Sequence, residues 1–401
     1  MNRSSFPRRV PLSFSLVTLL AALVSAVTLA QQPHRPRARD LGVPFDGTPG
    51  PLNAITDVSG VEVGHTTLIR GEGKLVVGQG PVRTGVTAVL PRGRSGNNNV
   101  FAGWFSLNGN GEMTGTTWVE ESGILEGPVM ITNTHSVGVV RDAVIDWRIH
   151  HGAPEADGYW WSLPVVAETY DGFLNDVNGF HVKPQHVFAA LDSAHGGTVE
   201  EGSVGGGTGM VCNGFKGGIG TASRVLTAEL GGYTVGVLVQ CNFGSRSNLR
   251  IAGVPVGREI TEQPPHALVL PDNVLELGSI IIVVATNAPL LPHQLKRLAR
   301  RTSLSLGRLG SISSNGSGDI FIAFSTANPG VDAPKGVVQV GMLSNEVISP
   351  IFAATVQATE EAIVNAMVAA DTMTGRDGHT ALGLPHDRLR EVLKRYNRLA
   401  E

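Results

Sequence analysis

Short apolar runs separated by glycine-containing turns dominate the chain from residue 41 onward. Most of these runs are rich in valine and isoleucine, which is typical of β-strands buried in a sheet. The pattern therefore predicts strands at Val61–Val63, Gly85–Leu90, Val129–Thr132, Leu163–Glu168, Tyr233–Val239, Ile280–Ala285 and Asp319–Phe324.

Three longer segments carry a helical pattern. Leu290–Arg301 repeats leucine at helical spacing, Pro350–Met373 is the longest amphipathic candidate and opens on a proline, and Asp387–Leu399 follows near the C-terminus. No low-complexity linker divides the chain after residue 41. We therefore expect strands and helices to share one layered α/β domain.

Residues 1–30 have the pattern of an export signal. Arginines precede a mostly apolar stretch, Leu12–Val24, and small residues lie at Thr28 and Ala30. The apolar stretch is shorter than the about 20 residues that a membrane-crossing helix needs. We predict a signal peptide over residues 1–30 and a periplasmic or secreted mature protein, with an uncleaved membrane anchor as the alternative interpretation.

Composition narrows the class of protein. Apolar residues make up 42% of the chain and charged residues 16%, which suits a packed core and is too little charge for a disordered chain. The 51 glycines argue against helical bundles and coiled coils, and the sequence contains no collagen-like repeat. A formal net charge of −3 gives no basic surface for nucleic acid.

The cysteines are too few for a disulfide framework and form no CxxC motif. Cys212 and Cys241 fit either a single disulfide or two buried thiols that pack as small apolar groups. The second interpretation is favoured on the sequence alone.

Tests for familiar catalytic and binding motifs fail. The glycine cluster at Gly205–Gly209 matches neither the dinucleotide-binding nor the phosphate-loop pattern. The sequence contains no G-x-S-x-G elbow and no H-E-x-x-H zinc motif, and its histidines are scattered. We therefore predict no metal and no organic cofactor. Several amide-rich and glycine-rich stretches remain, and they suggest an unusual hydrolase: Asn108–Met113, Asn133–Ser136 and Glu168–Gly172.

One junction suggests nucleophilic chemistry. Gly278 and Ser279 run directly into the apolar segment Ile280–Ala285. A serine hydroxyl after a glycine can attack the preceding carbonyl in an N→O acyl shift, and hydrolysis of the resulting ester cleaves the chain and leaves Ser279 with a free amine. Such an amine has a pKa of about 7.7–8.0 and can act as general base for its own hydroxyl. The alternative is a common Gly-Ser turn before a strand.

Motifs along nearly the whole mature chain resemble the L-aminopeptidase D-Ala-esterase/amidase and β-peptidyl aminopeptidase family. This family contains self-processing hydrolases similar to the N-terminal-nucleophile (Ntn) enzymes. The resemblance is collinear from about Arg37 to the C-terminus, and its motifs are Arg37–Gly42, Asn53–Val58, Asn108–Met113, Thr132–His135, Val165–Gly172, Gly205–Met210, Phe215–Gly218, Gly253–Gly257, Pro292–Arg301 and Ser317–Phe321.

The resemblance implies a fold and a processing site. The fold is a layered αββα sandwich of the Ntn-like kind, made from an autocleaved single-chain precursor. Cleavage falls on the Gly278–Ser279 bond, so that residues 31–278 form a large (α) chain and residues 279–401 a small (β) chain. Together the two chains form one hydrolase domain.

The resemblance also implies the site residues. The nucleophile falls on Ser279, and the two oxyanion donors fall on Tyr170 and Asn242. The family's Ser-x-Glu pair matches Ser317 and Asp319, whose carboxylate is one carbon shorter; this departure leaves a preference for β-peptides open. The Gly-Ser processing site, in place of Asn-Ser, is more similar to the L-aminopeptidase/D-amidase branch.

The function implied is a self-processing serine aminopeptidase or amidase that releases N-terminal residues from short peptides, amino-acid amides or esters. The family further implies a homo-oligomer, a tetramer of autocleaved heterodimers, with no nucleic-acid partner and no membrane attachment after signal removal. Two alternatives are kept. One is a β-peptidyl aminopeptidase with the same machinery, and the other is a non-catalytic extracytoplasmic binding protein of the same fold.

Overall fold

The computed structural model describes residues 1, 35–94, 99–151, 161–268, 276, 278–331 and 335–400. Residues 36–401 belong to a single unit. Apart from Met1, the predicted signal peptide lies outside the described residues, and so does Leu277.

The described residues form fourteen strands and seven α-helices. The strands are β1 Glu62–Arg70, β2 Val82–Leu90, β3 Val100–Ser106, β4 Ile124–Leu125, β5 Val129–Asn133, β6 Val165–Thr169, β7 Val211–Cys212, β8 Phe215–Lys216, β9 Gly218–Val225, β10 Thr234–Asn242, β11 Ser279–Thr286, β12 Ile320–Ser325, β13 Met373–Thr374 and β14 Thr380–Ala381. The helices are α1 Thr116–Ser122, α2 Val137–His150, α3 Pro184–Asp192, α4 Val256–Glu259, α5 Pro292–Arg308, α6 Ser349–Val368 and α7 His386–Arg395.

Two mixed sheets hold most of the strands. One has the order β1-β2-β5-β6, and the other has the order β4-β3-β12-β11-β10-β9. Pairing is antiparallel except between β5 and β6 and between β11 and β12. Two short ribbons, β7-β8 and β13-β14, complete the sheet structure of the described residues.

Alternation along the central strands creates four layers. In β11, Ile281 and Val283 point into the core between the two sheets, whereas Ile280, Ile282 and Val284 point to the core shared with α5 and α6. On the opposite side, α2 and α3 cover the outer face of the four-stranded sheet. The arrangement is an αββα sandwich, which confirms the predicted fold class.

Every strand run predicted from the sequence lies in or overlaps a strand, and all three predicted helices form. The prediction that the longest helix is amphipathic is wrong. Most of α6 is buried, and its Glu361 carboxylate is fully buried in ion pairs with Arg224 (2.7 Å) and Arg39 (2.8 Å). Two strands of the larger sheet, β3 and β9, carry glycine and polar residues that hid them from the apolar pattern.

The structure joins Cys212 and Cys241 in a disulfide, with their Cα atoms 5.6 Å apart. The favoured expectation of two free thiols is therefore wrong. Strand β7 ends at Cys212, and Cys241 lies next to the end of β10. Because the ribbon β7-β8 folds back against β10, it brings the two sulfur atoms together.

Several glycines lie where a helix touches a strand. Gly220 in β9 faces α6 so closely that a Cβ atom there would overlap the carbonyl oxygen of Ala362 and lie 2.7 Å from the Ala366 nitrogen. Gly64 makes a similar contact with α3, and Gly103 with α5. The glycine content is therefore partly a packing requirement of the outer layers, because backbone meets backbone at these points.

Gly220→Ala should destabilise the protein by about 1–3 kcal/mol, because the added methyl group pushes α6 away from β9. Thermal unfolding would measure the change. Gly138→Ala is the matched control, because Gly138 is exposed in α2 with nothing within 4 Å of the new methyl group. The control should be neutral or stabilising by up to ~1 kcal/mol. Equal Tm values for the two variants would contradict the close-packing interpretation.

Candidate active site

Ser279 is the first residue of β11 and is 6% exposed. The antiparallel pairing of β10 with β11 places it opposite Asn242. Its hydroxyl oxygen accepts a hydrogen bond from the backbone N–H of Gly318 (3.1 Å). The strand end therefore brings the predicted nucleophile together with one predicted oxyanion donor and with the predicted Ser-x-Asp segment.

Gly278, immediately before the predicted nucleophile, adopts a conformation that other residues avoid. Its φ of +94° lies in the left-handed region. A Cβ atom on this residue would overlap the carbonyl oxygen of Asn242. Both the backbone angle and the space therefore require glycine on the amino side of Ser279.

The Asn242 side chain is held by two backbone groups. Its Oδ1 accepts from the N–H of Val211 (2.8 Å), and its Nδ2 donates to the carbonyl of Tyr170 (2.9 Å). An acceptor and a donor at opposite atoms fix the orientation of the amide and leave its second N–H free to bind another oxygen.

Tyr170 contacts Asn242 through this backbone carbonyl oxygen. Its side chain is 51% exposed, and the phenol ring lies over Gly172, where a Cβ atom would collide with it. An exposed phenol on a residue whose backbone binds Asn242 is suited to contact a bound molecule rather than the protein core.

Ser317 and Asp319 flank the Gly318 amide that binds Ser279, and both are fully buried. The Ser317 hydroxyl and both carboxylate oxygens of Asp319 lack a close hydrogen bond to the described residues. Burial, aided by the nearby charge of Glu276, raises the pKa of Asp319 to about 7, although neighbouring polar groups oppose the shift. A buried acid with unsatisfied carboxylate oxygens, next to the predicted nucleophile, is suited to exchange a proton or to meet a positively charged group.

Sequence reasoning missed Glu168 as a site residue, although it singled out the stretch that contains it. Glu168 is the residue before the last in β6. Its carboxylate accepts hydrogen bonds from the Glu112 N–H (3.0 Å) and the Thr134 hydroxyl (2.5 Å). A Cβ atom on Gly111 would lie 3.1 Å from Gly318 Cα and 3.4 Å from Glu168 Oε1, so the carboxylate is near Gly318. Burial raises the pKa of Glu168.

The three amide-rich stretches of the sequence meet around this carboxylate. Glu112 lies in the first stretch, Thr134 in the second and Glu168 in the third. The signal that could have identified Glu168 is therefore the acid at the end of an apolar strand run, two residues before Tyr170.

A second buried acid, Asp171, directly follows Tyr170 in the chain. Asp171 is fully buried, and its Oδ1 accepts from Asn175 Nδ2 (3.0 Å). Burial raises the pKa of Asp171 to about 7, against the opposing effect of hydrogen bonds from Thr84, Asn175 and Asn133. The group therefore binds a proton far more readily in the folded protein than in an unfolded chain.

Among the described residues, no group of three or more His, Cys, Asp or Glu side chains could hold a metal ion. In the same part of the chain, no helix is long and apolar enough to cross a membrane.

Comparison with known proteins identifies the family. The model of peptidase family S58 matches residues 53–381. The chain belongs to peptidase family S58. It is 57% identical over 394 residues to the β-peptidyl aminopeptidase BapA of Sphingosinicella microcystinivorans, covering 94% of this chain and 98% of the relative.

Solved structures agree with this assignment. The L-aminopeptidase D-Ala-esterase/amidase of Ochrobactrum anthropi, described as a variant of the Ntn hydrolase fold, superposes with a TM-score of 0.84 at 49% identity, covering 91% of this chain and 100% of that one. The β-aminopeptidase of a Burkholderia species gives a TM-score of 0.82 at 48% identity, covering 90% and 99%. The protein is therefore a serine aminopeptidase or amidase, and a non-catalytic binding protein is not favoured.

Asp171→Asn should change how stability depends on pH. Because the folded-state pKa of Asp171 is raised from 3.8 to about 7, this group makes folding less favourable as pH rises from about 4 to 7. The neutral amide removes this dependence. The stability of the variant relative to wild type should therefore increase by roughly 1–3 kcal/mol between pH 5 and pH 8.

Urea unfolding at the two pH values would measure this change. Ser279→Ala is present in both proteins, because it removes the hydroxyl on which the predicted self-cleavage depends. Asp142→Asn is the control, because the Asp142 side chain is 80% exposed. A difference between Asp171→Asn and its parent that stays constant with pH would contradict the assignment of a raised pKa.

Proposed function

We propose that this serine aminopeptidase activates itself by cutting its own Gly278–Ser279 bond and then uses the new N-terminal serine as nucleophile. One observation carries the proposal: Ser279 follows a left-handed glycine, begins a buried strand, and lies opposite Asn242 with its hydroxyl on the Gly318 amide. The proposal divides the mature protein into a chain of residues 31–278 and a chain of residues 279–401.

Self-cleavage proceeds through an ester. Ser279 Oγ attacks the Gly278 carbonyl carbon, its proton passes to the departing nitrogen, and the amide bond becomes an ester with a free amine on Ser279. Water then adds to the ester carbonyl and releases the Ser279 hydroxyl and a Gly278 carboxylate. The left-handed conformation of Gly278 and the Gly318 N–H on the hydroxyl oxygen support this geometry.

The mature site hydrolyses its substrate in two similar steps. The free amine of Ser279 takes the hydroxyl proton while Oγ attacks the substrate carbonyl, and the leaving amine takes that proton away. The remaining N–H of Asn242 and the phenol of Tyr170 bind the oxygen that becomes negative, a contribution of ~3–4 kcal/mol per donor in comparable sites. Water, activated by the same amine, then releases the acyl group.

Ser317 and Asp319 support the amine in this scheme. Because Asp319 is buried beside the segment that contacts Ser279, its carboxylate can accept a hydrogen bond from the amine once that amine is free. A protonated amine at this position would offset the burial that now raises the pKa of Asp319. Ser317, with its unbonded hydroxyl, can connect the two groups.

Glu168 explains why the enzyme acts at an amino terminus. Its buried carboxylate is near Gly318 and hence near the nucleophile, and burial disfavours its charged form. The ammonium group of a substrate supplies the missing positive charge at this place. We infer that Glu168 binds the substrate's free amino group and so limits cleavage to the first residue.

Export and assembly belong to the same proposal. The pattern of residues 1–30 supports removal of a signal peptide and a periplasmic or secreted enzyme. The segment before α6 exposes large apolar side chains at Val337, Val340, Met342 and Val347, which supports assembly into a homo-oligomer of cleaved heterodimers.

Ser279→Ala should leave the chain whole and inactive, since both steps need the same hydroxyl. Denaturing gels and intact mass measurements should show fragments of residues 31–278 and 279–401 for wild type and one chain for the variant. The disulfide does not affect the test, because Cys212 and Cys241 both lie in the first fragment. Ser303→Ala, at a partly exposed serine in α5, is the control and should be cut normally. Cleavage of Ser279→Ala at Gly278 would rule out this nucleophile.

A second substrate class is favoured by the relatives. The 57%-identical Sphingosinicella protein is named a β-peptidyl aminopeptidase, and the 48%-identical Burkholderia structure is a β-aminopeptidase. We propose that this enzyme also accepts an N-terminal β-amino acid, although Asp319 is shorter than the family's glutamate.

A panel of p-nitroanilides of β-homoalanine, L-alanine and D-alanine tests the substrate range. We expect hydrolysis of the β- and L-compounds. The N-acetylated form of each is the matched control and should be cut at least ~100-fold more slowly, because a buried carboxylate at Glu168 would then face no ammonium group. If the β-homoalanine compound is not hydrolysed, the proposal that the enzyme accepts β-amino acids is wrong. Rapid cleavage of the acetylated compounds would contradict the role of Glu168.

A further inference from the structure

Glu276 is a buried acid that the mechanism above does not use. It lies three residues before Ser279 and is 1% exposed. Its carboxylate accepts from the Ser311 hydroxyl and from the Ile312 N–H (2.9 Å), and its carbonyl oxygen accepts from the Ser314 hydroxyl (2.8 Å). Both the side chain and the backbone of this residue are thus fixed to the loop of residues 311–314.

The same loop reaches the catalytic segment from the other side. Asn108 Nδ2 donates to the carbonyl oxygens of Ser313 (2.7 Å) and Ser314 (3.2 Å), and the Ser317 N–H donates to Ser314 (2.9 Å). Ser317 begins the segment whose Gly318 amide binds the Ser279 hydroxyl. The loop therefore connects the chain before the cleavage site with the groups that hold the nucleophile.

We propose that Glu276 is a positioning residue for self-cleavage: by fixing the chain before Gly278 to the 311–314 loop, it keeps the Gly278 carbonyl in front of Ser279 Oγ. This inference rests on the proposed function, because it concerns the same self-cleavage reaction. It adds a residue that acts on the precursor and is dispensable for turnover of the cleaved enzyme.

The physical argument is one of orientation. Ser279 is fixed by its pairing in β11, and Glu276 is fixed by three hydrogen bonds, so the scissile bond is held between two anchors only a few residues apart. Holding reacting atoms in such a geometry accelerates an intramolecular attack. Scission breaks the bond whose carbonyl Glu276 positions, so this orienting effect ends with the cut.

Glu276 also acts on Asp319 through its charge. The Glu276 carboxylate raises the pKa of Asp319, alongside the larger effect of burial. Neutralising Glu276 should therefore lower the pKa of Asp319 in the cleaved enzyme. Turnover is best compared at pH 9, where Asp319 is ionised in either case.

The test uses Glu276→Gln, which keeps the size of the side chain but loses one of its two acceptor positions. The amount of uncut precursor is followed on denaturing gels during a time course of cell-free synthesis. In the cleaved enzyme, kcat at pH 9 is measured per mole of free Ser279 N-terminus. We expect self-cleavage to slow at least ~10-fold, with kcat of the cleaved enzyme within about twofold of wild type.

Two further variants complete the test. Glu262→Gln is the matched control, since Glu262 is an exposed acid that pairs with Arg388 (3.1 Å), and it should cleave at the wild-type rate. Ser311→Ala removes one donor to Glu276 without changing the chain before the cut, and it should slow cleavage to a smaller extent. It also keeps the inference testable if Glu276→Gln fails to fold.

The outcomes separate the two proposals. If wild type is cut and Glu276→Gln is cut at the same rate, the role of Glu276 is wrong and the proposed function stands. A parallel fall in Tm, cleavage rate and kcat would assign Glu276 a general structural role and would also overturn the inference. If wild type remains whole while it hydrolyses substrate, the self-cleavage mechanism itself is wrong.

Discussion

Antiparallel pairing between β10 and β11 fixes Asn242 opposite Ser279, and the other parts of the site are arranged around this pair. The parallel neighbour β12 starts one residue after Asp319, so the Ser317–Asp319 segment arrives beside the start of β11. A slip of one residue would turn Ser279 to the opposite face of the sheet. Ile280–Ala285 alternates between two apolar cores, which makes that slip strongly unfavourable. The hydrophobic core thus fixes the position of Ser279, the proposed nucleophile.

Burial gives the site its chemistry at a cost in stability. Glu168, Asp171 and Asp319 are all buried, and burial raises the pKa of each. Isolated charges in such places are unfavourable, so each acid is prepared to hold a proton or to meet a positive group. Glu361 is different, because the positive charges of Arg39 and Arg224 lie beside it. They hold the pKa of its carboxyl below the usual range despite its burial. This difference separates structural acids from acids available for catalysis.

The sequence predicted the strands that are continuous apolar runs, including β11, and the family motifs indicated Ser279, Tyr170, Asn242, Ser317 and Asp319. It could not show that Tyr170 enters the site through its backbone carbonyl, because that contact depends on the meeting of β6 and β10 across two sheets. Glu276 had no signal in the sequence, and Glu168 was marked only by its place at the end of an apolar run. Their proposed roles arise from burial next to residues distant in the chain, and such contacts cannot be read from local spacing.

Glycine has two separate uses in this fold, and they have different consequences for the reaction. At Gly220 the absence of a side chain lets a helix backbone lie directly on a strand, so the benefit is packing. At Gly278 the backbone itself is in the left-handed region, against the carbonyl of Asn242. With Glu276 anchored on one side and Ser279 paired on the other, that conformation cannot relax without breaking contacts at one of the two ends. Glycine holds this conformation without a steric penalty, so the bond that the proposed mechanism breaks can be kept between two anchored residues.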